Sequence, residues 1–305
     1  MQGALLHVIE PIFERDFAPQ SYGFRPGKGC KDAWRRVEEL LKSGYHWVVD
    51  ADLKSYFDTI PQEGLMERIK EKIADSRVLS LIEGMLQAGV MDSIKGWQAT
   101  KQGSPQGAVI SPLLSNIYLN GLDWKMAQNG FEMVRYADDF VVLCSSQEEA
   151  QKALEQISQW VEENGLKMHP TKTRLVDASQ RGGFDFLGYH FERGRKWPRK
   201  KSLSKLKDAI RSKTRRNNGR SMKAICVDLN LTLKGWFEYF KHSAPHVFES
   251  IDGYVRGRLR SILRHQTKRK GRASGIDQLR WPNTYFSAVG LLSLRQARAA
   301  ACRSS

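Results

Sequence analysis

Residues 131–144 read Phe-Glu-Met-Val-Arg-Tyr-Ala-Asp-Asp-Phe-Val-Val-Leu-Cys. Apolar runs, Phe131 to Val134 and Phe140 to Leu143, flank the tip Tyr136-Ala137-Asp138-Asp139. Both runs are rich in β-branched and aromatic residues and read as two strands joined by a short turn. Adjacent carboxylates repel, and burying either one uncompensated raises its pKa. A hard cation removes that conflict, because Mg²⁺ takes carboxylate oxygens and substrate phosphates as ligands. An isolated Asp-Asp pair at a hairpin tip is ordinary turn chemistry. Here a third carboxylate and several partner segments in a fixed order favour a metal site.

The third carboxylate lies upstream, in Tyr45-His46-Trp47-Val48-Val49-Asp50-Ala51-Asp52-Leu53. Period two puts Val48, Asp50 and Asp52 on one face of a strand. Asp52, at the strand end, is the metal candidate, and Asp50 is expected to be a structural acid on the strand face. Thr59 and Gln62 fit a capping box with Pro61 near the first helical position, and Asp58 shapes the start of that helix. Residues 100–112 (TKQGSPQGAVISP) form a polar, Gly-rich turn before a helix capped by Ser111, with Pro112 at its first position. Leu114, Ile117, Tyr118 and Leu122 make the core face of that helix. Such a loop lets backbone approach a ligand closely, and Gln106 can both donate and accept hydrogen bonds.

Around this centre, residues 4–14 and 31–42 have helical apolar spacing, with the punctuated loop SYGFRPGKGC (21–30) between them. That loop carries Arg25 and Lys28. Residues 147–165 form an amphipathic helix stopped by Gly165. LKMHPTKTRLV, with Lys172, and GFDFLGYHF, with Gly188, give short strands and a turn. Helices following a central hairpin imply an α+β unit in which helices cover one face of an antiparallel sheet.

Length, 305 residues, suits about two domains, and charge divides them. Residues 193–305 carry 28 Lys/Arg against 6 Asp/Glu, while residues 1–192 carry 21 against 27. The expected boundaries are therefore 1–192 and 193–305. The basic half reads as helices over 202–216, from Met222, and over 247–266. Leu233, Trp236, Phe237 and Phe240 are expected to be packed core. Ile251, Val255, Leu259 and Ile262 point inward, leaving Arg256, Arg258, Arg260 and Arg264 on the outer faces. A blocky positive half with interleaved aromatics is a polyanion-binding surface. Nucleic-acid contacts are expected at Arg25, Lys205, Arg211, Arg215, Arg256, Arg260 and Arg264. Cys30, Cys144, Cys226 and Cys302 have no metal-ligand spacing and suit reduced thiols of a cytoplasmic protein. No stretch approaches the roughly 20 apolar residues needed to span a bilayer, and no signal peptide is read at the start. No membrane partner is expected.

Taken in order, SYGFRPG, ADLKSYFD, SPQGAVISPLLSNIYLNGLD, RYADDF, LKMHPTKT, FDFLGY and LKGWFEYF resemble a bacterial group II intron-encoded reverse transcriptase with its maturase domain. The resemblance covers nearly the whole chain, and the ordered set is far more specific than Tyr-Ala-Asp-Asp alone. It implies a right-hand polymerase palm with partial fingers, followed by a basic helical thumb and maturase domain. It implies RNA-directed DNA synthesis, with help to intron splicing and mobility. Asp52, Asp138 and Asp139 match the catalytic acids. Two Mg²⁺ about 4 Å apart, with Mn²⁺ as substitute, would sit on Asp52, Asp138, Asp139 and the Leu53 carbonyl. The resemblance makes Phe57 the gate against a ribose 2′-hydroxyl. Gln106, Gly107 and Ala108 become the nucleotide-pocket loop. Lys172 resembles the lysine at the leaving phosphate, and Phe186, Leu187 and Gly188 the primer grip. Intron RNA template, DNA primer or target and deoxynucleoside triphosphates are the implied partners.

Two departures accompany the resemblance. The family's upstream finger segment is not seen before residue 4, which leads to the expectation of an N-terminally truncated chain with impaired polymerisation. Ala108 stands where the family usually has a second glycine. No nuclease-like Cys/His cluster follows the basic region, so no endonuclease domain is expected. The alternatives are an RNA-binding splicing factor or catalytically impaired remnant, and a retron-type reverse transcriptase. LKGWFEYF and the basic extension argue against the last.

Overall fold

Val48, Val49 and Ala51 are all buried, so the run Trp47–Asp52 (β1) is covered on both faces, as suits a central strand whose side chains alternate. It lies between Asp139–Cys144 (β5) and Arg174–Asp177 (β6), and Glu132–Tyr136 (β4) pairs with β5. The four form an antiparallel sheet in the order β4-β5-β1-β6. The register sets Asp52 opposite Asp139 and Asp50 opposite Arg174.

The computed structural model describes residues 1–88, 90–92, 96–98, 102–104, 107–217, 219–269 and 275–303. The chain divides into two compact units, Met1–Leu187 with Glu192–Gly194, and Gly188–Phe191 with Arg195–Ser305.

In the first unit, helices Gln2–Glu14 (α1), Cys30–Lys42 (α2), the short Tyr56–Thr59 (α3), Gln62–Lys70 (α4) and Ser76–Gln87 (α5) precede a small hairpin, Val90–Asp92 (β2) with Gly96–Gln98 (β3). Ser111–Gln128 (α6) and Gln147–Glu163 (α7) complete it. α6 is buried on nearly every side, with Leu113, Leu114, Asn116, Ile117, Leu119, Leu122, Asp123 and Met126 all inside. It anchors a core that takes in Leu5 and Ile9 of α1, Leu65 and Ile69 of α4, and Ala153 and Ile157 of α7. Val49, Ala51, Phe140 and Val142 supply the sheet face of that core. Trp34, Val37 and Leu40 of α2 are buried as well, and α2 lies against β4 and β5. Period two turns Val134, Val141 and Leu143 away from the α6 core, so α2 takes the second face. The expectation of helices on one face is corrected accordingly.

Two helix starts also differ from expectation. Pro61 precedes α4, and no capping box forms. The Thr59 hydroxyl instead donates to carbonyls of its own turn, Ser55 at 3.1 Å among them, because α3 ends there. Ile110, not Ser111, caps α6, and Ser111 Oγ accepts from Ser104 Oγ at 2.6 Å.

A meander of Phe184–Phe186 (β7), Tyr189–Glu192 (β8) and Arg195–Pro198 (β9) carries the chain from the first unit to the second. The second unit is then helical: Lys200–Lys213 (α8), Met222–Phe240 (α9), Pro245–Gln266 (α10), Gly275–Arg280 (α11), Asn283–Ala288 (α12) and Leu294–Ala301 (α13). Leu206, Ile210, Ile225, Leu229, Leu233, Phe237, Phe248, Ile251, Val255, Leu259 and Ile262 share one core with Trp281, Phe286 and Leu294. The aromatic stripe of α9 packs inward as expected.

The arginines of α10 do not stand on open faces. Arg258 donates to the Thr214 carbonyl at 2.9 Å. Arg260 reaches the Trp281 carbonyl at 3.0 Å and Asn283 at 2.9 Å. Arg264 pairs with buried Asp277 at 2.7 Å, and Arg256 lies 4.0 Å from buried Asp252. Asp277, Trp281 and Asn283 take up the donors of Arg260 and Arg264, and Thr214, after α8, those of Arg258, all of which periodicity alone would leave in solvent. Among the described residues no helix is long and apolar enough to cross a membrane.

Candidate active site

The carboxylates converge because β1 and β5 run antiparallel and end together. Asp52 closes β1, Asp139 opens β5 directly opposite, and Asp138 occupies the turn just before it. Directly opposed residues in such a pair lie on the same face. Ala137 takes a left-handed conformation, φ 58°, a region that non-glycine residues enter rarely. Asp52 and Asp138 are half-buried and Asp139 is exposed.

The strand end is held from the other side by the segment after α7. Lys54 N–H donates to the Lys167 carbonyl at 2.9 Å, and His169 N–H to the Asp52 carbonyl at 2.8 Å. Leu53 bridges Met168. This brings Lys172 Nζ to 2.6 Å from Asp52 Oδ2, while Arg174 Nε donates to Asp50 Oδ2 at 3.0 Å. Two acids two residues apart on β1 meet two bases two residues apart, Arg174 at the start of β6 and Lys172 in the turn before it.

The electrostatics follow from that crowding. Burial first, then the charge of Asp52, holds the Asp138 carboxyl above the ordinary range, against its own backbone N–H, Arg135 and Lys172. Burial likewise raises Asp50, with Asp185 and Asp52 adding to it and Arg174 opposing. Among the described residues no three His, Cys, Asp or Glu side chains gather into a preformed metal cage. Mg²⁺ ordinarily uses one or two carboxylates and takes its other ligands from water and substrate phosphates. Two oxygen donors, one of them held above its usual pKa by burial and then by the charge of the other, fit that cation.

Phe57 is half-exposed on α3, edge-on to Tyr56 with ring centroids 5.5 Å apart. Tyr56 is buried and its hydroxyl donates to the Ser115 carbonyl of α6 at 2.9 Å. Gly103 N–H donates to Ile60 O at 2.8 Å and Ser104 N–H to Phe57 O at 2.7 Å. A Cβ on Gly103 would lie 2.6 Å from that Phe57 oxygen. Gly103 and Ser104 thus dock on the turn that bears Phe57. Gln106 lies outside the described residues. Gly107 is exposed at φ 84°, and the Ala108 carbonyl accepts from Ser111 N–H at the start of α6.

Phe186 is fully buried in β7, and Leu187 and Gly188 both have positive φ, 46° and 86°. Within the second unit, a Cβ on Gly188 would meet Ser202 Oγ and Phe240 at 3.5 and 3.6 Å, and Arg199 N–H donates to the Gly188 carbonyl at 2.9 Å. Lys205, Arg211 and Arg215 are exposed, with Arg211 also bonded to Asp208 at 2.6 Å.

Arg25 does not join them. It is 9% exposed, and its guanidinium donates to Glu14, to the Ala18 carbonyl and to the Ser21 carbonyl at 2.7 to 2.9 Å. Facing inward, it ties the loop after α1 together, so the expected nucleic-acid contact there is corrected, as it is for Arg260 and Arg264, whose guanidinium groups are taken up within the unit, while Arg256 stays partly exposed. Arg174, Arg135 and Asp123 escaped the sequence reading. A charge inside an apolar strand, as in Met-Val-Arg-Tyr, is the signal that could have found Arg135, because buried charges require partners.

A sheet that sets two aspartates at paired strand ends beside a third in the turn, with a helical unit following, defines a protein of the nucleic-acid polymerase palm class. The structure of apo telomerase from Candida tropicalis shares this fold, with a TM-score of 0.50 over 94% of this chain and 50% of that one, at 13% identity. The family model Reverse transcriptase (RNA-dependent DNA polymerase) matches residues 1–191, and Group II intron, maturase-specific domain matches residues 203–281. The chain belongs to the reverse transcriptase family, in the branch that carries the group II intron maturase domain. Protein YkfC of Escherichia coli (strain K12) is 33% identical over 235 residues, 64% of this chain and 61% of that protein. The group II intron-encoded protein LtrA of Lactococcus lactis subsp. cremoris is 38% identical over 125 residues, 40% of this chain and 20% of LtrA. The chain therefore spans about three-fifths of the first of these relatives and a smaller part of the second.

Proposed function

We propose that this chain copies RNA into DNA as the reverse transcriptase of a group II intron, and that its helical unit binds intron RNA to assist splicing and mobility. One observation carries the polymerase reading. Asp52 and Asp139 face each other across β1 and β5, Asp138 stands beside them in the turn, and Lys172 bonds Asp52.

Asp52 and Asp138 would hold the divalent ions, Mg²⁺ or in its place Mn²⁺, with Asp139 adjacent and the Leu53 carbonyl completing the shell. Such ions, when bound, supply a more acidic attacking hydroxyl and neutralise charge on the leaving phosphates. Everything else falls to the chain's own groups. Lys172 is an exposed ammonium at the edge of the acids, placed to neutralise or protonate a leaving phosphate. Phe57, fixed through Tyr56 and through the docked Gly103–Ser104 backbone, presents an aromatic edge where a 2′-hydroxyl would clash, which selects deoxynucleotides. The resemblance assigns the nucleotide to Gln106, Gly107 and Ala108, and the primer to Phe186, Leu187 and Gly188. Exposed Lys205, Arg211 and Arg215 supply phosphate contacts, which read shape and charge rather than sequence. The family membership and the maturase-domain match support the RNA side of this reading.

Primer extension on an RNA template with deoxynucleoside triphosphates and Mg²⁺ tests it. DNA product is expected from the parent chain and none from Asp138→Ala with Asp139→Ala, which should still bind RNA. Synthesis surviving in that variant overturns the acid assignment. A folded parent chain that binds intron RNA and extends nothing would leave the RNA-binding reading alone.

A further inference from the structure

Beneath the acidic turn lies a charged side chain that the polymerase reading leaves without a task. Arg135, in β4, and Asp123, in α6, are both fully buried and paired. An arginine has five N–H donors, and all five of Arg135's are taken. Nε and Nη2 form a two-pronged pair with Asp123. Nη2 also reaches Ser21 Oγ at 2.9 Å, and Nη1 reaches Asn116 Oδ1 at 2.9 Å. The last Nη1 bond goes to the carbonyl of Ala137, at 2.8 Å.

That carbonyl belongs to the residue held in the left-handed region immediately before Asp138. The same cluster grips the turn a second time. Asn116 Nδ2 donates to the Gly23 carbonyl at 2.8 Å, and Gly23 packs so closely that a Cβ there would lie 2.3 Å from Ala137 N. The backbone of Arg135 is itself clamped, accepting from Tyr22 N–H at 2.8 Å and donating to the Gln20 carbonyl at 3.0 Å. Three distant segments, 20–23, α6 and β4, therefore close on one peptide unit. Buried ion pairs are weak sources of stability and can often be replaced by apolar side chains of similar volume without loss. A fully satisfied one whose spare donor holds a strained carbonyl is suited to fixing position.

We propose that Arg135 is a positioning residue for the metal-binding acids: with Asp123, Asn116 and Ser21 it locks the Ala137 peptide and thereby aims Asp138. This rests on the reading of Asp138 as a metal-holding acid. Arg135 touches neither substrate nor metal and acts only through the Ala137 carbonyl.

The test is Mn²⁺ binding to the full chain without nucleic acid, followed by the free-ion paramagnetic resonance signal, beside thermal melting and primer extension. The variants are Arg135→Lys, the apolar pair Arg135→Met with Asp123→Leu, and Asp138→Asn as reference. Both Arg135 variants should melt cooperatively and bind RNA as the parent does. Their Mn²⁺ affinity should fall about 10- to 100-fold, the range for losing a group that orients a metal ligand. The kcat for extension should fall with it while KM for the deoxynucleotide stays near the parent value. Parent-like Mn²⁺ binding in both Arg135 variants, with Asp138→Asn impaired, overturns the positioning role and leaves the metal reading standing. A parent chain that binds no Mn²⁺, or an Asp138→Asn variant that binds as tightly as the parent, overturns both. Failure of both Arg135 variants to fold overturns the proposal too, since the cluster would then be a structural keystone alone.

Discussion

Lys172 Nζ lies 2.6 Å from Asp52 Oδ2, although 120 residues separate them. The contact exists because β6 pairs with β1 in a register that sets Arg174 opposite Asp50, and the turn that leads into β6 brings Lys172 to Asp52. An exposed lysine is thus anchored on a metal-candidate acid by the backbone around it.

Lys172→Met should separate stability from catalysis. The pair is largely exposed, with Lys172 at 59%, and exposed pairs contribute about 0–1 kcal/mol, so the melting temperature should barely move. If the ammonium serves the leaving phosphate, single-turnover extension should slow by about 10²-fold or more, the usual scale for a proton-transfer group. Rapid-quench extension beside thermal melting checks both, and an unchanged rate removes Lys172 from the chemistry.

Gly103→Ala should disturb the position of Phe57 without touching its ring. A Cβ at φ 84° would lie 2.6 Å from the Phe57 carbonyl and 2.7 Å from the Asp58 carbonyl carbon. The residue needs a left-handed backbone and the neighbours are main chain, so the variant should lose more than about 1 kcal/mol. Ribonucleotide incorporation should rise relative to deoxynucleotide, as it should more strongly in Phe57→Ala. Competition between the two triphosphates in one extension assay measures this, and unaltered selectivity in both variants removes the gate.

Asp50→Asn should stabilise the metal-free protein at neutral pH. Burial raises the Asp50 carboxyl above its unfolded value. A carboxyl raised on folding favours the native state fully below the unfolded pKa, near 3.9, and that contribution is lost as pH rises through the folded value. At pH 7 the parent therefore carries a disfavoured buried charge that the amide lacks, and the amide can still accept from Arg174. Urea melts at pH 7 and pH 4 should show the variant's advantage shrinking at the lower pH. A variant less stable at pH 7 would show that the Arg174 ion pair outweighs burial.

Arg264→Ala and Lys205→Ala should fail in different ways. Removing Arg264 leaves Asp277 buried without its 2.7 Å partner, which costs about 3 kcal/mol for such a pair. The salt dependence of RNA binding should hold its slope. Lys205 is exposed, so its loss should leave stability alone and lower that slope by about one. Denaturant melts and RNA binding across a salt series distinguish them. A reduced slope in folded Arg264→Ala would return that arginine to the RNA surface.

The acidic centre was legible because it is written locally. Strand patterning around Tyr136-Ala137-Asp138-Asp139 and the strand ending at Asp52 specify their own secondary structure. Pairing the two hydrophobic strands through their buried faces then leaves few ways to avoid bringing the acids together. The ordered motifs likewise carried the family and the helical second unit, whose apolar periodicity places Leu233, Phe237, Ile251 and Leu259 in one core. The destinations of the charges were not local. Arg25, Arg258, Arg260 and Arg264 read as solvent-facing cations, because nothing in their neighbourhoods along the chain says which carbonyl or carboxylate will arrive from elsewhere. Arg135 shows the same limit from the inside, since its five acceptors come from Ser21, Asn116, Asp123 and Ala137. A hydrophobic face needs only a partner that is apolar, so pattern suffices to foresee its burial. A guanidinium needs particular acceptors at particular distances, and those exist only once segments a hundred residues apart have packed together.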